Sequence, residues 1–94
     1  MNPAINTTTI DIFETSDLAL AAYLALSITL ERLDFSDPKR VKFVFKKETD
    51  NLDRLVEDYW QKRALVEPQA YFMSIRVLKG RLYNEKPAYD QPYR

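Results

Sequence analysis

The sequence predicts a small α+β domain: a three-stranded antiparallel sheet with helices packed on one face, in the order β-α-β-β-α-α. Segments 10–15 and 41–46 alternate apolar and polar residues with the period of a strand. Segment 17–26 consists largely of strong helix formers. Segments 50–62 and 68–83 repeat apolar residues at helical three- and four-residue steps. A chain of 94 residues encloses one core, so we expect one domain.

The first strand leads directly into the first helix. Segment 10–15 places β-branched and aromatic residues between acids, which predicts a strand. Thr15, Ser16 and Asp17 are the candidate caps of a helix over about 17–26. This helix is apolar on every side, and each exposed leucine would forgo roughly 1.5–3 kcal/mol of burial. We therefore expect the helix to be covered, either by the chain's own fold or by another chain.

The second and third strands are predicted to form a hairpin. Segment 28–35 has strand-like spacing, although its Leu-Glu-Arg-Leu could also extend the first helix. Ser-Asp-Pro-Lys at 36–39 predicts a turn. The third strand, 41–46, is expected between the other two strands, because this is the simplest arrangement. Its alternation predicts one apolar face, formed by Val41, Phe43 and Phe45, and a partly basic face, formed by Lys42, Val44 and Lys46.

Two helices complete the predicted domain. Thr49 or Asp50 is expected to cap the second helix, which runs to about Lys62. Pro68 suits the first turn of the third helix, which runs to about Tyr83. The expected inner stripe of the third helix consists of Tyr71, Phe72, Ile75, Leu78 and Leu82.

The composition limits the possible functions and the compartment. The chain contains no cysteine and no histidine, the side chains most used for nucleophilic attack, proton transfer and transition-metal binding. We predict a non-enzymatic protein without a cofactor or bound metal. Because no signal peptide or stretch long enough to span a membrane is evident, we expect a cytoplasmic location and no membrane contact.

We expect a flexible arm over 1–9, a domain over 10–84 and a disordered tail over 85–94.

Three blocks of sequence carry a resemblance to a known family. They are Phe-Glu-Thr-Ser-Asp-Leu-Ala-Leu-Ala-Ala-Tyr-Leu at 13–24, Asp-Pro-Lys-Arg-Val-Lys-Phe-Val-Phe at 37–45, and Ala-Leu-Val-Glu-Pro at 64–68 with Leu-Lys-Gly-Arg-Leu-Tyr at 78–83. Over about 12–84 the chain resembles a prokaryotic and phage-associated family of short proteins classed only as a domain of unknown function. The resemblance implies no activity. Glu67 departs from the Asp more usual before Pro68 in that family, which predicts a looser helix start.

A basic cluster on the hairpin suggests one kind of partner. Basic residues interleaved with aromatic ones can contact phosphates and stack bases, so a nucleic-acid-binding role is one hypothesis. On a strand, however, the lysines face away from the phenylalanines, which favours an ordinary solvated face of lysines and a buried face of aromatic residues. The candidate nucleic-acid contacts are Lys39, Arg40, Lys42, Lys46, Arg76 and Lys79.

The leading hypothesis is a protein-interaction or self-association module. It is motivated by the all-apolar first helix and by two adjacent aromatic residues on the second helix, which point about 100° apart and cannot both face inward. The candidate interface residues are Leu20, Tyr23, Leu24, Tyr59 and Trp60. A third hypothesis is a Mg²⁺-dependent enzyme that uses Asp53 and Glu57, because carboxylates one helical turn apart can bind the same ion. The alternative is structural, because acids early in a helix stabilise it without any ligand.

Overall fold

The computed structural model describes residues 11–47 and 51–86, and its elements follow the predicted order. The strands are β1 (Ile12–Thr15), β2 (Leu30–Asp34) and β3 (Lys42–Lys46). The helices are α1 (Leu18–Ala25), α2 (Asn51–Trp60) and α3 (Pro68–Glu85). The predicted α+β class is therefore confirmed. The proposed caps of the second helix, Thr49 and Asp50, lie outside the described residues, as do the arm over 1–9 and positions 87–94 of the predicted tail.

The three strands form one antiparallel sheet in the order β1-β3-β2, as predicted. Phe43 and Phe45 of the central strand are almost completely buried. Val44 is fully buried as well, although it faces the other side of the sheet and lies outside the core cluster. The sequence placed Val44 on the correct face, between two lysines, but gave no sign of its burial.

An irregularity in β2 turns two leucines toward the same face. Leu30 pairs with Phe45 and Leu33 pairs with Phe43, while the register shifts between Leu30 and Arg32. In a regular strand, residues three apart point to opposite faces. The register shift adds one residue to β2 relative to β3, so Leu30 and Leu33 point to the same face of the sheet. Both leucines pack with the helix-facing core.

Helix α1 forms the centre of the core. The Asp17 carboxylate accepts a hydrogen bond from the backbone N–H of Leu20 at 3.2 Å, so Asp17 is the cap among the three candidates. The helix contacts β1, α2 and α3. Its buried residues pack in one cluster with side chains of the sheet, of α2 and of α3. The chain's own fold therefore covers most of this apolar helix.

Side-chain hydrogen bonds join α3 to α1. The Tyr71 hydroxyl donates to the carbonyl oxygen of Ala19 at 3.0 Å, and the Ser74 hydroxyl donates to that of Ala22 at 2.9 Å. These donors are three residues apart and therefore lie on one side of α3. These bonds from side chains of α3 to backbone carbonyls of α1 fix which side of α3 faces the core, and leave the opposite side outward.

Hydrogen bonds fix both ends of the connection between α2 and α3. Lys62 adopts the left-handed conformation (φ 63°), and its N–H and that of Arg63 donate to the carbonyls of Tyr59 and Asp58. This is a Schellman motif, in which glycine is the usual residue at the Lys62 position. The Glu67 carboxylate then accepts a hydrogen bond from the Ala70 N–H at 2.7 Å. Glu67 is therefore the N-cap of α3.

Candidate interaction surfaces

The predicted interface residues on α1 lie inside this chain. Leu20 and Leu24 are almost fully buried, and Tyr23 is 9% exposed. Their apolar character is therefore explained by burial beneath the other helices and the sheet, and they offer no surface to a partner. A partner surface must be sought elsewhere on the chain.

The two adjacent aromatic residues of α2 have different environments. Tyr59 is half-buried and stacks on Tyr23, with ring centroids 5.9 Å apart. Trp60 is 60% exposed and meets the Tyr59 ring edge-on at 5.0 Å. Successive helix residues point about 100° apart, so Trp60 is the residue that faces solvent. Of the five predicted interface residues, Trp60 alone is largely exposed.

A larger apolar surface lies on the outward side of α3. Phe72, Met73 and Val77 are 59%, 55% and 58% exposed, and we call their surface the outer α3 face. The Arg76 guanidinium lies 5.8 Å from the Phe72 ring centroid, so the one cation between these residues also covers an aromatic ring. Gly80 follows Met73 by two turns on the same side of the helix. An ideal Cβ at Gly80 would meet nothing within 4 Å.

Sequence reasoning placed Phe72 wrongly on the inner stripe. Tyr71, Ile75, Leu78 and Leu82 do pack against the core, as predicted. Tyr71 and Phe72 are neighbours on the helix, so only one of the two can point toward α1. The hydroxyl group of Tyr71 bonds to a carbonyl of α1, a bond that phenylalanine cannot form, and Phe72 is left outside.

The structure separates the predicted basic residues into different surfaces. Lys42 and Lys46 belong to the sheet face opposite Phe43 and Phe45, where they form ion pairs with Glu14 at 3.9 Å and with Glu31 at 4.0 Å. Arg76 lies on the outer α3 face. Lys42 and Lys46 therefore do not join the remaining candidates, and Arg76, although it lies one helical turn from Lys79, lines neither of the cavities formed by the other candidates.

The other basic candidates meet at two adjoining cavities. One, of about 360 Å³, is lined by Lys39 and Arg40 of the β2–β3 turn. The second, of about 400 Å³, is lined by Lys79 and by Lys86 at the end of α3. Together they form what we call the basic groove. Its further lining residues are Ser16, Leu18, Phe35, Pro38, Val41, Phe43, Leu82 and Tyr83, of which Val41 and Leu82 line both cavities.

The cations of the basic groove are not neutralised within the described part of the chain. Lys39, Arg40, Lys79 and Lys86 form no ion pair with any described residue, and no described residue lining either cavity is acidic. Asp37 accepts a hydrogen bond from the Lys39 backbone N–H at 2.9 Å, so this carboxylate caps the turn. The sequence could not show this grouping, because the turn and the end of α3 are about 40 residues apart in the chain.

A third cavity, of about 320 Å³, is lined by three tyrosines, Tyr23, Tyr59 and Tyr71, together with Lys62, Ala64 and Val66. Burial is the main cause that raises the pKa of all three tyrosines, with Asp58 adding to the effect at Tyr23 and Asp17 at the other two. The raised pKa extends the pH range over which these hydroxyl groups stay protonated, and the Tyr71 hydroxyl donates to the Ala19 carbonyl.

The acids proposed for Mg²⁺ binding show no metal-site geometry. Asp53 forms an ion pair with Lys47 at 3.0 Å and is exposed, and Glu57 is exposed as well. Within residues 11–47 and 51–86, no three side chains of His, Cys, Asp or Glu come together as a possible metal site. A structural role in the helix and its ion pair accounts for Asp53.

The arrangement defines a small α+β domain with an exposed apolar helix face and a basic groove. Residues 11–84 match the family model described as a domain of unknown function (DUF5659), and the chain belongs to that family. Comparison with curated proteins and with solved structures gave no match. None of the helices in the described residues has the length and apolarity needed to cross a membrane.

Proposed function

We propose that this chain is a non-enzymatic protein-interaction module that self-associates through the outer α3 face. The observation that carries the proposal is the exposure of Phe72, Met73 and Val77, each more than half accessible on one side of an 18-residue helix. Solvent-facing helix positions usually carry charged residues, and contiguous exposed apolar patches mark interaction sites.

A second copy of the chain fits this face. Between Phe72 and Gly80 the exposed charged residues are Arg76, which lies against the Phe72 ring, and Lys79, which lines the basic groove. In a closed two-fold pair each copy presents the same surface, so residue i contacts j while j contacts i. Val77 lies near the middle of α3, and antiparallel pairing about that point brings Met73 of each copy toward the Gly80 end of the other. The absence of a side chain at Gly80 leaves room for Met73.

The size of the face sets the strength of the association. Burying the exposed parts of Phe72, Met73 and Val77 gains roughly 2.5–5 kcal/mol per copy, since complete burial of such a side chain is worth about 1.5–3 kcal/mol. Two copies gain roughly twice that, against an association cost of about 4–15 kcal/mol. The most favourable balance of these terms is about −6 kcal/mol, so the dissociation constant is expected between about 40 μM and 1 mM, which corresponds to roughly −6 to −4 kcal/mol.

The biological setting is part of the proposal. We infer a prokaryotic or phage origin and a cytoplasmic location. The family resemblance supports the origin, and the absence of cysteine supports a reducing compartment.

Sedimentation velocity over roughly the concentration range implied by the estimated affinity, about 5 μM to 1 mM, tests the proposal. The wild-type chain is expected to shift toward a dimer as concentration rises, and Val77→Glu is expected to remain monomeric, because it would bury two carboxylates in the interface. Leu65→Glu is the matched control: Leu65 is 91% exposed in the α2–α3 connection, outside the outer α3 face. A wild type that stays monomeric to about 1 mM, or equal loss of association in both variants, would overturn the proposal.

A further inference from the structure

We propose that the basic groove binds single-stranded nucleic acid. The basic groove shares no residue with Phe72, Met73 and Val77, so the two proposals are tested by different variants. The first observation is electrostatic. Lys39, Arg40, Lys79 and Lys86 meet around one continuous concave surface without a described acidic partner. Exposed cations that line one concave surface attract a polyanion, and phosphate contacts supply most of the affinity in non-specific binding.

The second observation is the aromatic and apolar lining of the groove. Tyr83 is 82% exposed and Phe35 is half-buried, and both line the cavity that contains Lys79 and Lys86. Proteins that bind single strands combine a positively charged groove with aromatic rings on which bases stack. Tyr83 presents its ring to solvent beside the cations, which supplies both elements at one place.

These features favour a nucleic acid over an acidic peptide. A carboxylate-rich peptide satisfies the four cations, but it has no flat ring system to cover the exposed Tyr83. A nucleotide base supplies that ring, and the phosphate of the same nucleotide reaches the cations. The planar guanidinium of Arg40 also suits bidentate contact with a phosphate. A duplex is less suited, because its bases are already stacked and cannot reach Tyr83.

The number of cations predicts the salt dependence. For single strands the logarithm of the affinity falls with the logarithm of salt concentration with a slope of about −0.7 per phosphate contacted. Four contacts, one for each cation, give a slope of about −2.8, so affinity should fall up to roughly 50-fold between about 50 and 200 mM salt. Tyr83→Ala should weaken binding at least about 5-fold, the lower end of one base–aromatic stacking interaction.

The test is fluorescence anisotropy of a labelled oligo-dT with the full chain at low salt. Arg40→Gln with Lys79→Gln should weaken binding at least about tenfold, from two lost phosphate contacts. Lys42→Gln with Lys46→Gln is the matched control: it makes the same change in net charge, on the opposite face of the sheet, and should alter binding less than about twofold. Thermal unfolding of each variant verifies folding.

Three results would overturn the proposal. The first is no anisotropy change for the wild-type chain at low salt. The second is equal weakening by the two double substitutions, which would show attraction without a site. The third is displacement of the oligonucleotide by poly-glutamate at equal charge concentration together with no effect of Tyr83→Ala, which would identify the groove as a site for acidic polypeptides. Salt-sensitive binding that depends on Arg40, Lys79 and Tyr83 supports it.

Discussion

Gly80→Ala is expected to stabilise the folded monomer. Gly80 lies inside α3, five residues before its end, in a helical conformation that alanine adopts without strain. A Cβ added there meets no atom within 4 Å, so no steric cost opposes the change. Glycine inside a helix is destabilising by roughly 0.5–1 kcal/mol relative to alanine, mainly because it restricts the unfolded chain less. We therefore expect the free energy of unfolding to rise by that amount.

The assay is urea and thermal unfolding followed by circular dichroism, at a chain concentration of about 5 μM, which is low enough to keep the chain largely monomeric at the affinity range given above. For a domain of this size, 1 kcal/mol shifts the melting temperature by roughly 4–8 °C, so the expected rise is about 2–8 °C. Lys79→Ala is the control, because lysine and alanine are both good helix formers and Lys79 is exposed; its change should stay within about 0.5 kcal/mol. A lower unfolding free energy for Gly80→Ala would show that the space beside Gly80 is occupied, and would refute the reasoning.

Three further predictions concern the packing of α3, the end of α2 and the pKa of the buried tyrosines. Leu78→Ala should lower the free energy of unfolding by about 2–5 kcal/mol because Leu78 is buried in the core, whereas Val77→Ala, on the exposed side, should change it by less than about 0.5 kcal/mol; urea unfolding of both variants decides. Lys62→Gly should raise the melting temperature, since glycine adopts the left-handed conformation without the Cβ penalty; an unchanged or lower value would argue against the Schellman motif. Burial raises the pKa of Tyr71 and Tyr23 in the folded state, so their contribution to stability is complete below the unfolded tyrosine pKa of about 10 and is lost as pH rises above it; Tyr71→Phe should reduce this alkaline loss in unfolding measured at rising pH.

The fold was largely predictable because local signals agree with one another. The alternation in 41–46 and the hairpin turn before it lead to β3 at the centre of the sheet, as observed. Asp17 marks the start of α1 through a side-chain hydrogen bond to a nearby backbone N–H, an interaction that depends on local sequence alone. The irregularity in β2 could not be predicted, since segment 28–35 shows only an imperfect alternation.

The candidate surfaces were much less predictable. An apolar helix such as α1 has the same sequence pattern whether its own chain or a partner covers it, and only the packing of α2, α3 and the sheet resolves the question. The choice between Tyr71 and Phe72 depends on a hydrogen bond to Ala19, a residue 52 positions away. The grouping of Arg40 with Lys79 likewise depends on tertiary structure, because the turn and α3 are distant in sequence.

The most direct test of self-association is disulfide formation by Val77→Cys. The chain contains no cysteine, so an introduced thiol reports only contact between copies. In the proposed two-fold pair Val77 of one copy lies close to Val77 of the other copy. A disulfide needs Cα atoms within about 7 Å of each other. Under mild oxidation Val77→Cys is predicted to give a covalent dimer much faster than Leu65→Cys, although Leu65 is the more exposed position. Dimer formation at equal rates in the two variants, or faster in Leu65→Cys, would contradict pairing through the outer α3 face.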